Sequence, residues 1–129
     1  MDEDKLNRLP PDVKKQFLKL ALKLSEKKTK SKVHDDFLSF VKHVWPEFIE
    51  GRHHKEIADK FNKLAKGEIK RLIINMPPRH TKSEFASYLL PSWMVGRRPN
   101  LKIIQTTHTT ELAIRFGRKA KTLMDSEEY

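Results

Sequence analysis

Two short apolar runs constrain this chain most. They are Arg71 to Met76, R-L-I-I-N-M, and Leu101 to Thr107, L-K-I-I-Q-T-T. Each is too short for a helix, is bounded by loop punctuation, and reads as a buried strand. The first leads into Pro77-Pro78-Arg79-His80-Thr81-Lys82-Ser83. Helical spacing then places Phe85, Ala86, Leu89 and Leu90 together, with Pro91 kinking or ending that helix. The second run comes after the turn Arg97-Arg98-Pro99-Asn100. It precedes a helix over about Thr110 to Asp125, with Leu112, Ala113, Phe116, Ala120, Leu123 and Met124 facing inward. Strand, loop, helix, strand, helix is the opening of a parallel α/β sheet with a right-handed crossover.

The residues before position 71 read as helical. Pro11 suits a first turn, and Val13, Phe17, Leu20, Ala21 and Leu24 make one apolar face opposite Lys14, Lys15, Lys19 and Lys23. Residues 25–34, S-E-K-K-T-K-S-K-V-H, have no apolar periodicity and read as a flexible joint. A second helix starts at Asp35 or Asp36 as its cap and stops at Pro46. A third fits 52–66, with Ile57, Ala58, Phe61, Leu64 and Ala65 on one face and Gly67 just past its end. The predicted organisation is a basic helix and linker over 1–34, then the beginning of an α/β domain over 35–129.

Charge narrows the partners. The chain has 27 Lys and Arg against 17 Asp and Glu, a net charge of +10. Residues 1–34 hold 10 basic and 5 acidic side chains, so the shorter part is the more densely positive. Such a balance favours polyanions, DNA, RNA or nucleotides, although solvated lysines that bind nothing produce it too. The absence of cysteine excludes a disulfide framework and a thiolate zinc site. The acidic start, Met1 to Lys5, lacks the apolar stretch of a secretory signal, and no run is long enough to span a bilayer. The expectation is a soluble intracellular protein.

The strand–loop–helix at 71–90 is where chemistry is expected. A tight loop ending in Lys-Ser before a helix is the context of a phosphate-binding P-loop. Backbone N–H groups and the helix dipole favour the anion, the lysine reaches the β- and γ-phosphates, and the hydroxyl ligates Mg²⁺. These would be Lys82 and Ser83. The pattern G-x-x-x-x-G-K-[ST] places its glycines on Met76 and Thr81, and both are missing. Thr81 matters most, because a β-branched side chain resists positive φ. The phosphate donors would come from the backbone of Arg79 to Ser83, since Pro77 and Pro78 have no N–H. A basic turn without nucleotide chemistry also contains Lys-Ser, and from spacing alone both readings stay open.

The stretch L-I-I-N-M-P-P-R-H-T-K-S-E-F resembles the deviant Walker A segment of tailed-bacteriophage terminase large subunits, the motors that package viral DNA. Members often show Pro-Pro-Arg-His, then Gly or Thr, then Lys-Ser-Glu. Phe40, Trp45-Pro46, His54 and Gly67 to Arg71 are similar to the family's lead-in. Leu90 to Trp93, Gly96, Glu111 to Ala113 and Phe116 to Arg118 resemble the family's segments downstream of the loop. The likeness covers roughly 35–129.

The resemblance implies a nucleotide site of Pro78, Arg79, His80, Thr81, Lys82 and Ser83, with ATP and Mg²⁺ as cofactors. Arg79 would act in cis as an arginine finger and Ser83 would hold Mg²⁺. A salt bridge to a nearby carboxylate is the structural alternative for Arg79. His80 reads as a loop hydrogen-bonder rather than a base. His53, His54 and Trp45 could lie near the nucleotide base, with core or surface roles the simpler reading of each. His43 and His108 make no metal spacing with them. Implied partners are double-stranded DNA, the portal ring and the small terminase subunit, with no membrane, in a homo-oligomeric motor in the bacterial host cytoplasm.

A motor ATPase also needs a strand ending in Asp-Glu, and the family carries a nuclease with clustered carboxylates. Neither is in these 129 residues. Two parallel strands with open edges make a poor sheet. The expectation is an N-terminal portion of such a motor, marginally stable alone and inefficient at hydrolysis. Two other functions share these features: a different P-loop NTPase of helicase type, and a small basic DNA-binding or adaptor protein whose Lys-Ser turn is incidental.

Overall fold

Every regular element among residues 10–129, the part described by the computed structural model, is helical. The acidic start, Met1 to Lys5, lies outside the described residues. Contacts divide the chain into two units, residues 1–32 and 33–129.

The first helix, α1, runs Pro11–Asp35 and crosses the segment 25–34 that the sequence predicts as a joint. Lys, Ser and Glu lack an apolar stripe there but are acceptable helix formers. Ser25 and Thr29 donate their hydroxyls back to Leu22 O at 2.8 Å and Ser25 O at 3.0 Å. No residue of α1 is buried, so the face of Val13, Phe17, Leu20 and Leu24 is open rather than covering a core.

Residues 33–129 are organised on Phe37. Helix α2, Phe37–Val44, is capped by Asp36, whose carboxylate accepts from Ser39 N–H at 2.7 Å. Asn62 locks this start to helix α3, Arg52–Lys66. Its amide donates to Asp36 Oδ1 at 2.8 Å, and its carbonyl accepts from Phe37 N–H at 2.9 Å. Gly67 ends α3 with φ 80°, and its N–H is taken by Leu64 and Lys63 carbonyls. The Phe37 ring meets Phe61, Phe85 and Trp93 edge-on, at 5.0, 5.4 and 5.4 Å between centroids. Phe40, Val41, Ile57, Ala58 and Leu89 complete the centre.

The helix after the loop comes in three continuous parts: α4 over Lys82–Glu84, a π-turn over Phe85–Leu89, and α5 over Leu90–Arg97. The π-turn precedes Pro91. Proline donates no N–H and crowds the carbonyl four residues back, and widening the helix there relieves both. The sequence indicated a kink at Pro91; the observed response is a bulge that keeps Phe85, Leu89, Ser92 and Trp93 on the buried side. Helix α6, Thr110–Met124, comes after the Thr109 cap. Of its expected inward face only Phe116 is buried, while Ala113 and Met124 are exposed.

The expected parallel sheet is absent, and the α/β class is corrected accordingly. Residues 71–76 and 101–107 form neither strand nor helix among the described residues. In the first run, Leu72, Ile74 and Met76 lean on the helical core while Ile73 stays 87% exposed. In the second, Ile104 is 92% exposed. The apolar alternation of the first run corresponds to its one covered side. A strand also needs a ladder from a neighbour, and no local pattern supplies that. No helix in the described part is long and apolar enough to cross a membrane.

Candidate functional site

The segment Pro77 to Glu84 folds around a hollow of about 210 Å³. Two residues there have left-handed backbone, Arg79 with φ 66° and Thr81 with φ 57°. Successive residues that change hand turn their N–H groups to one side, the geometry of an anion nest. Among the described residues, the structure records no backbone carbonyl for the N–H of Arg79, Thr81, Lys82 or Ser83, while Pro78 and Arg79 form a hydrogen-bonded turn. The Thr81 carbonyl accepts from Phe85 N–H at 2.9 Å and starts the helix.

Thr81 therefore occupies the conformation that the missing glycine would supply without strain. Its side chain is held from two sides. The hydroxyl donates to His80 O at 2.7 Å, and His54 Nε2 lies 2.7 Å from the same oxygen. His54 Nδ1 accepts from Gly51 N–H at 2.9 Å. With Nδ1 an acceptor, the ring proton is on Nε2 and donates to Thr81. His54 sits at the third position of α3 and is only 6% exposed. It thus caps its own helix as a capping-box side chain does, and buttresses the loop with its other nitrogen. Burial holds its pKa below the usual imidazole value, with His53 reinforcing the effect.

The other predicted site residues spread around this frame. Lys82 donates from Nζ to Met76 O at 3.2 Å, closing the loop on the position of the pattern's first glycine. Ser83 is exposed, as are Pro78, Arg79 and His80. Arg79 forms no salt bridge among the described residues. His80 donates from Nδ1 to Pro78 O at 2.9 Å. Glu84 pairs with Lys119 of α6. The His53 ring lies tilted against His54, 3.8 Å between centroids, and meets His80 at 5.7 Å. Trp45 packs on Phe48, and His43 and His108 are exposed. No group of three or more His, Cys, Asp or Glu among the described residues is placed to hold a metal.

His54 is the residue whose role the sequence did not disclose. The usable signal was a contradiction: a threonine where the loop needs a left-handed residue requires something to hold it. No family model, no curated protein and no solved structure matches the chain.

The donor set fits a nucleotide phosphate with Mg²⁺. The N–H groups of Arg79, Thr81, Lys82 and Ser83, a lysine at the rim, an exposed serine hydroxyl at the helix start and Arg79 itself surround one hollow.

Proposed function

We propose that the chain binds the phosphates of a nucleoside triphosphate at Pro78 to Ser83, as the nucleotide-binding part of a viral DNA-packaging motor of the terminase large-subunit kind. The observation that carries the proposal is the left-handed backbone of Thr81 immediately before Lys82-Ser83. A β-branched residue occupies this costly conformation only where its surroundings hold it, and such strain gathers at functional sites.

In this reading the N–H groups of Arg79, Thr81, Lys82 and Ser83 hold a phosphate, and Lys82 exchanges its Met76 carbonyl for a phosphate oxygen. Ser83 would supply the Mg²⁺ hydroxyl, and Arg79 would offer a guanidinium toward the terminal phosphoryl group. Bound Mg²⁺ supplies charge neutralisation of the phosphates. Hydrolysis needs in addition an acidic pair to hold the metal and orient water, so the proposal for these 129 residues is nucleotide binding. DNA, the portal ring, the small terminase subunit and further copies of the motor are the partners this reading assigns to the working assembly in the host cytoplasm.

The test is titration of the full chain with a fluorescent ATP analogue and Mg²⁺, for the natural sequence and Lys82→Ala. The proposal expects saturable binding that weakens at least about tenfold in the variant, a loss of roughly 1.4 kcal/mol, with the helical circular dichroism unchanged. Equal binding by both proteins, or none by the natural sequence, rejects it and leaves a basic adaptor whose Lys-Ser turn is incidental.

A further inference from the structure

We propose that His54 is the positioning residue of the loop: its neutral ring holds Thr81 in the left-handed conformation, and protonation of that ring releases the loop and its anion. The anion part rests on the reading of Pro78 to Ser83 as a phosphate site; the hold on Thr81 does not.

The hydrogen bonds around His54 have one consistent direction. Gly51 N–H donates to Nδ1, Nε2–H donates to Thr81 Oγ1, and Thr81 Oγ1–H donates to His80 O, over 2.9, 2.7 and 2.7 Å. The His54 ring and the Thr81 hydroxyl each give one proton and take one, which only the neutral Nε2–H tautomer permits. A second proton on Nδ1 would face the Gly51 N–H, donor against donor. The ring would have to turn, and the same turn withdraws Nε2 from Thr81. A threonine without that partner returns to negative φ, and the N–H groups of the nest no longer converge.

The surroundings oppose the charged ring. Phe48 and Phe85 pack on it at 4.8 and 5.0 Å between centroids. The titratable neighbours are His53 on its own helix and His80 on the loop, both of which oppose a positive charge, and Glu50, which favours one. Glu50 is engaged by Lys42 and by Lys55. Burial, the largest influence, keeps the ring neutral near pH 7. For a histidine whose folded pKa lies below its unfolded value of 6.5, the stabilisation is complete above pH 6.5 and is lost as pH falls from 6.5 toward the folded value.

Three substitutions separate positioning from simple packing. His54→Gln keeps an N–H donor for Thr81 but does not titrate. His54→Ala removes the hold, and Thr81→Gly removes the need for it, since glycine takes positive φ freely. The readouts are ATP·Mg²⁺ affinity and melting temperature of the full chain at about pH 7.5 and about pH 5.5, which bracket the ordinary imidazole value. The terminal phosphate of ATP titrates in this range as well, and the glutamine variant measures that contribution.

The expected result has three parts. Affinity of the natural protein falls measurably more between the two pH values than that of His54→Gln, by less than about tenfold because the folded pKa lies below 6.5. His54→Ala weakens binding about tenfold at the higher pH, and adding Thr81→Gly restores most of it. The melting temperature shows the same cycle, with the double variant above His54→Ala alone. Equal pH profiles for the natural protein and His54→Gln overturn the protonation switch. Additive losses in the double variant overturn positioning. If no protein in the set binds ATP, the nucleotide reading falls, and the melting-temperature cycle decides the His54–Thr81 hold by itself. If His54→Ala does not fold, the comparison of natural protein with His54→Gln across pH decides.

Discussion

Lys119 donates two hydrogen bonds to the Glu84 carboxylate, at 2.7 and 2.8 Å, and so joins the helix leaving the loop to α6. The same ammonium lies 5.1 Å from the centre of the Tyr88 ring. The pair is about one-third exposed, and screening by solvent limits its worth to about 0.5–1 kcal/mol. Lys119→Met, which keeps the length of the stem, is expected to lower the unfolding free energy by that amount in a urea titration. The difference from the natural protein should shrink with added salt. An unchanged stability at low salt would show that α6 is held by Phe116 and Leu123 without the ion pair.

Tyr88 offers a pH reporter in the same cluster. Burial pushes its phenol up to about 12, and the Glu84 carboxylate adds repulsion against the phenolate. The folded chain keeps this proton where the unfolded chain, at 10.0, has lost it. The stabilisation from Tyr88 is therefore complete below pH 10 and is lost as pH rises from 10 toward 12. The chain has two tyrosines, so Tyr129→Phe leaves Tyr88 as the single source of tyrosinate absorbance. Its midpoint is expected near 12 while helical circular dichroism persists; a midpoint near 10 with the helices intact would refute the buried placement.

Gly67 tests the cap of α3 without a packing contribution. A Cβ at this position meets nothing within 4 Å, so Gly67→Ala introduces only the strain of φ +80°. The expected cost is about 1 kcal/mol, read in denaturant unfolding. A neutral result would mean that α3 ends in another conformation.

Asp36 and Asn62 form the polar seam between α2 and α3. Asp36→Ala removes the helix cap and one partner of Asn62 together, and is expected to cost about 1–2 kcal/mol. Thermal unfolding checks this, and a loss well under about 0.5 kcal/mol would place α2 elsewhere.

Local rules explain which parts of the fold were legible. Helix α3 could be read from Ile57, Ala58 and Phe61 at helical spacing and from Gly67 at its end, because stripe and cap lie within one segment. The cap choice at Asp35 or Asp36 resolved to Asp36 through Asn62, 26 positions away, which no window contains. The runs 71–76 and 101–107 read as strands and form none, since strand pairing depends on a distant neighbour that no local pattern contains. Segment 25–34 is helical although it has no apolar stripe, because a solvated helix needs none; the missing stripe was no sign of a joint. In the loop, the demand for positive φ at position 81 was visible. The side chain that meets it, His54, was not, because 27 residues and a helix start separate the two.

The central claim, a phosphate-binding nest before Lys82-Ser83, is tested most directly by amide NMR of the full chain during titration with ATP and Mg²⁺. The expected result is a saturable shift of the Arg79, His80, Thr81, Lys82 and Ser83 amide resonances as one set, absent in Lys82→Ala. Shifts confined to the lysines of α1, or a loop whose amides stay still while nucleotide is in excess, would contradict it.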